Sequence, residues 1–396
     1  MKKILVIGAA TYQVPAIQRI VESGYKAYCV DYKEGQPGFK FATGYKVVDV
    51  RDKEKCLEYA NELNIDGIMS WGSTLTLPTV SYIGRMMNLP CIPMETAEIS
   101  TDKYQIRKKL TECGLNSAGE AFDLHSQEEA ETKHFTIPFV VKPCDGSGSK
   151  GVYIVKDVDE IKNAIQHAFN SARDGRIYVE PYIEGTEYSV EAYVNKEEIY
   201  VYSIVRTEFY WMEYYPVYKQ TTYKGISTEE EMLVEEEIKK AIIALGLTLG
   251  PINFDIIISD TDGKPYIIDV GIRNGQNLIA SHIIPYSRGV DELNNSIALC
   301  IGNNIDIKPL RKEYISSRLL IYASGTIVQI NPYQELIGHN NVVDIILRKQ
   351  VGDFLPYYQT KSDICGWVLC KGDTPDEASK YADEAWERLK EFIIIK

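Results

Sequence analysis

Val140-Val141-Lys142-Pro143-Cys144-Asp145-Gly146-Ser147-Gly148-Ser149-Lys150-Gly151 sets an apolar run ending in lysine before a loop of small residues that carries a second lysine. Small residues let backbone N–H groups approach an anion closely, and a lysine adds a point charge, so the stretch has the makings of a phosphate cradle. The P-loop form of such a cradle requires Gly-x-x-x-x-Gly-Lys-Ser/Thr running into a helix. Here Lys150 follows Ser149 rather than a glycine, and Gly151 stands where the magnesium-binding hydroxyl would be. The P-loop is excluded, and the surrounding chain has to decide what the loop does.

On the N-terminal side, Lys3–Gly8 and Lys26–Asp31 read as buried strands. Val14–Ser23 and Lys53–Leu63 have helical spacing, and Asp66–Ser70 is a further strand. Strands alternating with helices at this pitch give a parallel α/β unit, ending near Pro93. Gly8-Ala9-Ala10-Thr11-Tyr12-Gln13 lacks two of the three glycines of a dinucleotide fingerprint. Asp31 alone, at the end of the second strand, does not restore that reading. Asp102 is placed to cap a helix through Cys113, closed by Gly114. Strands follow at Phe139–Lys142, Val152–Val155, Ile177–Glu180, Tyr188–Val194 and Ile199–Val205. An acidic helix at Thr228–Leu245 then precedes strands Ile252–Ser259 and Pro265–Val270. From about Ile305 a smaller region has strands near Leu319–Ala323 and Trp367–Cys370 and a closing helix, Asp376–Phe392.

The 396 residues are too many for one ordinary core, so several domains are expected. A net charge of −13 argues against a nucleic-acid backbone as partner. No apolar run approaches the roughly 20 residues of a membrane span. Eight cysteines, scattered singly with no metal-ligand spacing, read as reduced thiols of a cytoplasmic protein.

Asp255 and Asp269 each interrupt an apolar strand, and the turn at Asp260-Thr261-Asp262-Gly263 would set those strands antiparallel with the two carboxylates facing. Buried charges require partners, and two adjacent acids repel unless a cation lies between them. Magnesium fits, since it takes one or two carboxylates and completes its shell with waters and phosphates.

In order along the chain stand an Asp-Lys-x helix at Asp102-Lys103-Tyr104, Val141-Lys142-Pro143 with its small-residue loop, and Glu180. Gly185-Thr186-Glu187 follows, then the Asp255/Asp269 strand pair and Arg273. This ordered set resembles the ATP-grasp superfamily, specifically its carboxylate–amine ligase branch. The region from Arg318 to Ala378 resembles the C-terminal domain of the purine-pathway ligases and biotin carboxylase. The resemblance implies a Rossmann-like parallel α/β domain over 1–95, an ATP-grasp domain over 96–304 with a mobile lid at about 116–186, and a small α+β domain over 305–396. It makes the loop a phosphate-covering lid loop, with Ser147, Gly148, Ser149, Lys150 and Gly151 against ATP. It also places Lys103 and Lys142 at the phosphates, Glu180 and the Tyr182 backbone at the adenine, and Glu187 at the ribose. Asp255 and Asp269 would hold one or two Mg2+ ions, with Mn2+ as a substitute. Arg273 would steady the transferred phosphoryl group or the substrate carboxylate, with Lys142 as the second catalytic cation.

One position departs from the pattern. The family's Asn-Pro-Arg after the metal acid is here Gly271-Ile272-Arg273, and Gly271 offers no side-chain oxygen. The expected activity is activation of a small carboxylate as an acylphosphate and its coupling to an amine. The alternatives are a bicarbonate-activating, carboxylase-type enzyme and an ATP-binding module without turnover. Substrate contacts are sought at strand ends, where open α/β sheets bind ligands: Tyr12, Trp71, and Asn274, Gln276 and Asn277 beside Arg273. The tyrosine-rich stretch 208–223 stays open between a wall over the substrate, a homodimer contact and a strand pair packed on the lid.

Overall fold

The structure, a computed structural model, describes all residues except 116–118, 147, 149, 197, 212–215, 277 and 359–362. The first sheet is parallel, with β1 (Lys3–Ile7), β2 (Lys26–Asp31), β3 (Gly44–Val47) and β4 (Gly67–Met69) in the order β3-β2-β1-β4. Its central strands are apolar on both faces because helices cover both. Ile4 and Val6 pack with Ile17 and Ile20 of the Val14–Glu22 helix on one side, and Leu5 and Ile7 with Cys56 and Ala60 of the Lys53–Leu63 helix on the other.

The region expected to form the lid is a four-stranded antiparallel sheet of β5 (Phe122–Leu124), β6 (Phe139–Pro143), β7 (Tyr153–Val155) and β8 (Ile177–Pro181), ordered β5-β8-β6-β7. The Ile161–Ser171 helix packs on its buried face through Ala164, Ile165 and Ala168.

The largest sheet has eight antiparallel strands ordered β13-β12-β9-β10-β11-β14-β18-β16. They are β9 (Gly185–Asn195), β10 (Glu198–Trp211), β11 (Pro216–Tyr223), β12 (Leu249–Ser259), β13 (Pro265–Gly271), β14 (Tyr314–Leu320), β16 (Val342–Leu347) and β18 (Gly366–Gly372). The hydrogen-bonded ladder thus runs from the central region directly into the C-terminal strands through β11 and β14. A three-stranded sheet of β15 (Gly325–Ile330), β17 (Phe354–Leu355) and β19 (Ile393–Ile395) completes that end.

One face of the large sheet, with Val190, Ala192, Val194, Ile252, Phe254 and Ile256, buries against the Lys103–Glu112 and Thr228–Leu245 helices. The second of these helices begins at a capping box, Ser227 with Glu230, and stops at Gly246 in the left-handed region (φ 69°). The first is capped by Asp102, whose carboxylate accepts from the Gln105 N–H at 3.0 Å. That cap fixes where Lys103 starts the helix. Among the described residues no helix is long and apolar enough to cross a membrane.

Candidate active site

The face of the large sheet opposite that core carries a polar stripe, because side chains alternate along each strand. On β9 the residues Glu187, Ser189 and Glu191 alternate with core positions, and on β12 Asn253 and Asp255 do the same. Register aligns them: Asp255 stands opposite Ser189 on one side and Asp269 of β13 on the other. One pleat along, Asn253 stands opposite Glu191 and Gly271. The two aspartates expected to meet therefore do so as a directly paired couple.

Between this stripe and the lid lies a cleft of about 400 Å³. Lys103, Lys142, Glu180, Glu187, Asp255 and Asp269 line it, as do Gly148, Lys150 and Tyr182. Residues from a helix N-terminus, the lid strands, the lid loop and the sheet, spread over more than 160 positions of sequence, thus converge on one space. Gly151, in the left-handed region (φ 79°), backs onto Ser171 and Pro143 instead. Ser147, Ser149 and Asn277 fall outside the described residues.

The charges in the cleft are interlocked. The Lys142 ammonium lies 2.6 Å from one Glu180 oxygen, donates to the Ile268 carbonyl at 3.0 Å, and sits over the Tyr178 ring at 5.2 Å. The other Glu180 oxygen lies 2.7 Å from the guanidinium of Arg107, which also donates to the Ile267 carbonyl at 2.6 Å. Lys103 contacts Asp269 in an ion pair. Burial opposes the charge on Glu180, but Arg107 and Lys142 together hold its carboxyl below the usual range. Burial likewise disfavours the Asp269 carboxylate, and Lys103, Lys142 and Arg273 outweigh it, so Asp269 is also lowered. For Lys142, burial pulls the ammonium down, while Glu180, Tyr178 and Asp269 push it above its ordinary value. The shifts of Glu180, Asp269 and Lys142 thus all favour the charged forms.

One expectation needs correction: Glu180, read as an adenine contact, has both oxygens against buried cations. Tyr182 lines the cleft, and its N–H donates to the Pro138 carbonyl at 3.1 Å.

The expected substrate contacts divide. Arg273 does not line the cleft; its Nη1 donates to Asn253 Oδ1 at 3.2 Å and to the Asn274 carbonyl at 3.1 Å. The guanidinium folds back over Gly271, where an added Cβ would meet Cζ at 2.9 Å. A side chain at 271 would therefore require this flexible guanidinium to shift.

Asn274 is buried, its amide donating to Glu292 at 2.8 Å and to Tyr193 at 3.2 Å, while its oxygen accepts from Ser296. It is a structural residue, not a surface for substrate. Trp71 packs in the core beside the first sheet, and its carbonyl accepts from Gln13 at 2.7 Å, so its indole is not offered to a ligand. A position after a strand cannot reveal which way the side chain turns. Gln276 donates to the Gly72 carbonyl at 2.7 Å and ties the loop after β13 to the first domain. Tyr12 is exposed, with the Arg348 guanidinium 5.6 Å above its ring. Asp31 accepts from the Ala9 N–H at 2.7 Å and from Gln36 at 2.9 Å, holding the turn after β1.

Sequence reasoning missed Arg107, Ser189, Glu191 and Asn253. Arg107 follows Lys103 by four residues, which puts both on one helix face. The alternation of polar with apolar residues in Glu187–Val194 was the available signal for Ser189 and Glu191.

Residues 100–275 match the model of the ATP-grasp domain, and residues 318–391 match that of L-amino acid ligase C-terminal domain 2. The D-alanine–D-alanine ligase of Flavobacterium psychrophilum is 34% identical over 149 residues, 36% of this chain and 44% of that protein. The protein y4rH of Sinorhizobium fredii is 24% identical over 78% of this chain and 65% of its own length. The chain thus spans less than two thirds of either relative. The L-amino acid ligase structure from Bacillus licheniformis superposes with a TM-score of 0.82 at 22% identity, over 100% of this chain and 99% of that one. The paired aspartates and both lysines all lie within residues 100–275, the stretch of this chain that matches the ATP-grasp domain.

Proposed function

We propose that this chain is an ATP- and Mg2+-dependent ligase that joins a small carboxylate to an amine, with an amino acid as the acid component. The observation that carries the reading is the convergence of Lys103, Lys142, Asp255 and Asp269 on one cleft roofed by the lid. The match of residues 318–391 to an L-amino acid ligase domain supports the amino acid.

Asp255 and Asp269 suit Mg2+, whose shell takes one or two carboxylates plus substrate phosphates; when bound it would supply charge neutralisation at those phosphates. Among the described residues no group of three His, Cys, Asp or Glu side chains competes as a metal site. The protein's own part is positioning and electrostatics. Lys103 and Lys142 would exchange their carboxylate partners for phosphate oxygens. A carboxylate oxygen of the acid attacks the γ-phosphorus, the bond to the β,γ-bridging oxygen breaks, and ADP leaves. The amine nitrogen then attacks the acyl carbon of the acylphosphate, the carbon–oxygen bond to phosphate breaks, and the nitrogen loses a proton. The lid, with Lys150 and Gly148 at the cleft, would keep water from the acylphosphate.

ADP release tests this, measured with Mg2+-ATP, pooled amino acids and other carboxylates, each pool with and without added amines, and with bicarbonate alone. Release that needs an organic acid, with amide formed only when an amine is present, supports the ligase. Bicarbonate dependence would move the chain to the carboxylase reading, and nucleotide binding without release in any pool to the binding-module reading.

A further inference from the structure

The polar stripe continues past the cleft into a fully buried network that the chemistry above does not use. Asn253 is 5% exposed and Glu191 0%, and neither lines the cleft. Asn253 Nδ2 donates to Glu191 Oε1 at 2.7 Å and to Ser189 Oγ at 2.9 Å. Its Oδ1 accepts from Arg273 Nη1 at 3.2 Å. Ser189 Oγ in turn donates to Asp255 Oδ1 at 2.9 Å. Glu191 Oε2 accepts from the Gly275 N–H at 3.0 Å, and the approach is so close that a Cβ at Gly275 would lie 1.8 Å from Oε1.

Only one orientation of the Asn253 amide satisfies these neighbours. Arginine has no acceptor, so the amide oxygen must face Arg273, and the nitrogen is left to donate to Glu191 Oε1, whose carboxyl burial and then Glu292 push well up. Arg273 and Glu191 together hold the amide in that orientation, and the amide aims two groups at once. Through its oxygen it fixes Arg273, and through Ser189 it fixes Asp255.

We propose that Asn253, held in that orientation by Arg273 and Glu191, is a positioning residue that couples the placement of Arg273 to that of Asp255. The turnover arm of the idea rests on the ligase reading and on the role expected for Arg273 at the phosphoryl group or the substrate carboxylate; the metal arm does not. In this network a change at Asn253 disturbs two groups, Asp255 on β12 and Arg273 in the loop after β13, whereas a change at Ser189 disturbs Asp255 alone. An amide fixed by three partners also loses little entropy when substrate arrives, which is what preorganisation requires.

The test uses Asn253→Leu, Ser189→Ala and Glu191→Gln in the full chain, with circular dichroism and thermal unfolding as the check of fold. Mn2+ binding in the presence of a β,γ-imido analogue of ATP, followed by the loss of free-Mn2+ electron paramagnetic resonance signal, reads the Asp255 arm without turnover. Asn253→Leu and Ser189→Ala are expected to weaken Mn2+ by tenfold or more, with the analogue's own affinity changed less than threefold. Glu191→Gln presents a donor to one of two donors, and is expected to weaken Mn2+ by about threefold or more. Turnover reads the Arg273 arm: kcat losses for Asn253→Leu and Arg273→Met should fail to multiply in the double variant, because both act through one guanidinium. Folded variants with unchanged Mn2+ affinity would overturn the proposal, as would kcat losses that multiply. If Asn253→Leu does not fold, Ser189→Ala and Glu191→Gln carry the test on the binding arm. That arm needs no substrate acid, so its result stands even where no acid supports turnover.

Discussion

Glu180→Gln is expected to destabilise the lid more than Arg107→Met, although both remove one member of the same ion cluster. Three charges meet there: the Glu180 side chain is 3% exposed, Arg107 5% and Lys142 11%. The cluster carries one negative and two positive charges, a formal surplus of one positive. Removing Arg107 leaves a neutral Glu180–Lys142 pair, and the loss is that of one charged hydrogen bond, about 1.5–3 kcal/mol. Removing the carboxylate leaves two buried cations facing each other, and breaking a buried ionic group in that way costs about 3–5 kcal/mol. Adding Arg107→Met to Glu180→Gln should therefore recover part of the loss, making the double variant more stable than Glu180→Gln alone. Hydrogen exchange of the β6 and β8 amides under increasing urea reads the opening free energy of the lid sheet in each variant. A Glu180→Gln effect no larger than that of Arg107→Met, or a double variant less stable than Glu180→Gln, would refute the charge count. The same surplus matters for function. On the proposed function, Lys142 would leave Glu180 for a phosphate while Arg107 stays behind to neutralise the carboxylate.

Three further outcomes are expected. Lys142→Ala should raise the KM for ATP by tenfold or more with a smaller change in kcat, measured by ADP release; an unchanged KM would remove Lys142 from the phosphates. Asp269→Ala should abolish turnover while nucleotide binding by calorimetry weakens less, and retained turnover would take Asp269 out of the metal site. Burial pushes the Glu292 carboxyl up to about 8, against hydrogen bonds from Tyr202, Asn274 and Tyr193 that pull it down. The folded chain thus holds a proton there that the unfolded chain has lost above about 4.5. The associated stability is complete below that value and falls as pH rises towards 8, at about 1.4 kcal/mol per pH unit. Glu292→Gln should flatten the slope by that amount in urea unfolding between pH 5 and 8, and an unchanged slope would contradict the assignment.

Local signals were legible wherever the sequence punctuated them. The Thr228–Leu245 and Lys53–Leu63 helices lie at the bounds their caps and spacing imply, since Ser227 and Asp52 cap them and Gly246 and Asn64 end them in the left-handed region. The pairing of Asp255 with Asp269 followed from a turn glycine and strand alternation. What stayed hidden was long-range. Nothing local in Tyr314–Leu320 shows that β14 pairs with β11, so the continuous eight-stranded sheet was not foreseen. Part of the tyrosine-rich stretch proved to be the β10–β11 strand pair, where Tyr210 meets Arg318 in a contact no sequence spacing encodes. In the site, residue type picked out groups that line the cleft but not the buried ones behind it. Trp71 and Asn274 had ligand-like chemistry at strand ends, but burial decided their roles, and burial is a property of the assembled fold. Arg107 was overlooked because its partner Glu180 lies on a strand 73 positions away, across the lid root.

The most direct measurement follows oxygen. Once ADP release has identified the acid, that acid is supplied with 18O in its carboxylate, together with Mg2+-ATP and the amine, and the released phosphate is analysed by mass. One 18O atom per phosphate is expected, because the carboxylate oxygen that attacks the γ-phosphorus leaves with phosphate when the amine displaces it. Unlabelled phosphate beside newly formed amide would contradict acylphosphate activation, and with it the role assigned to the cleft.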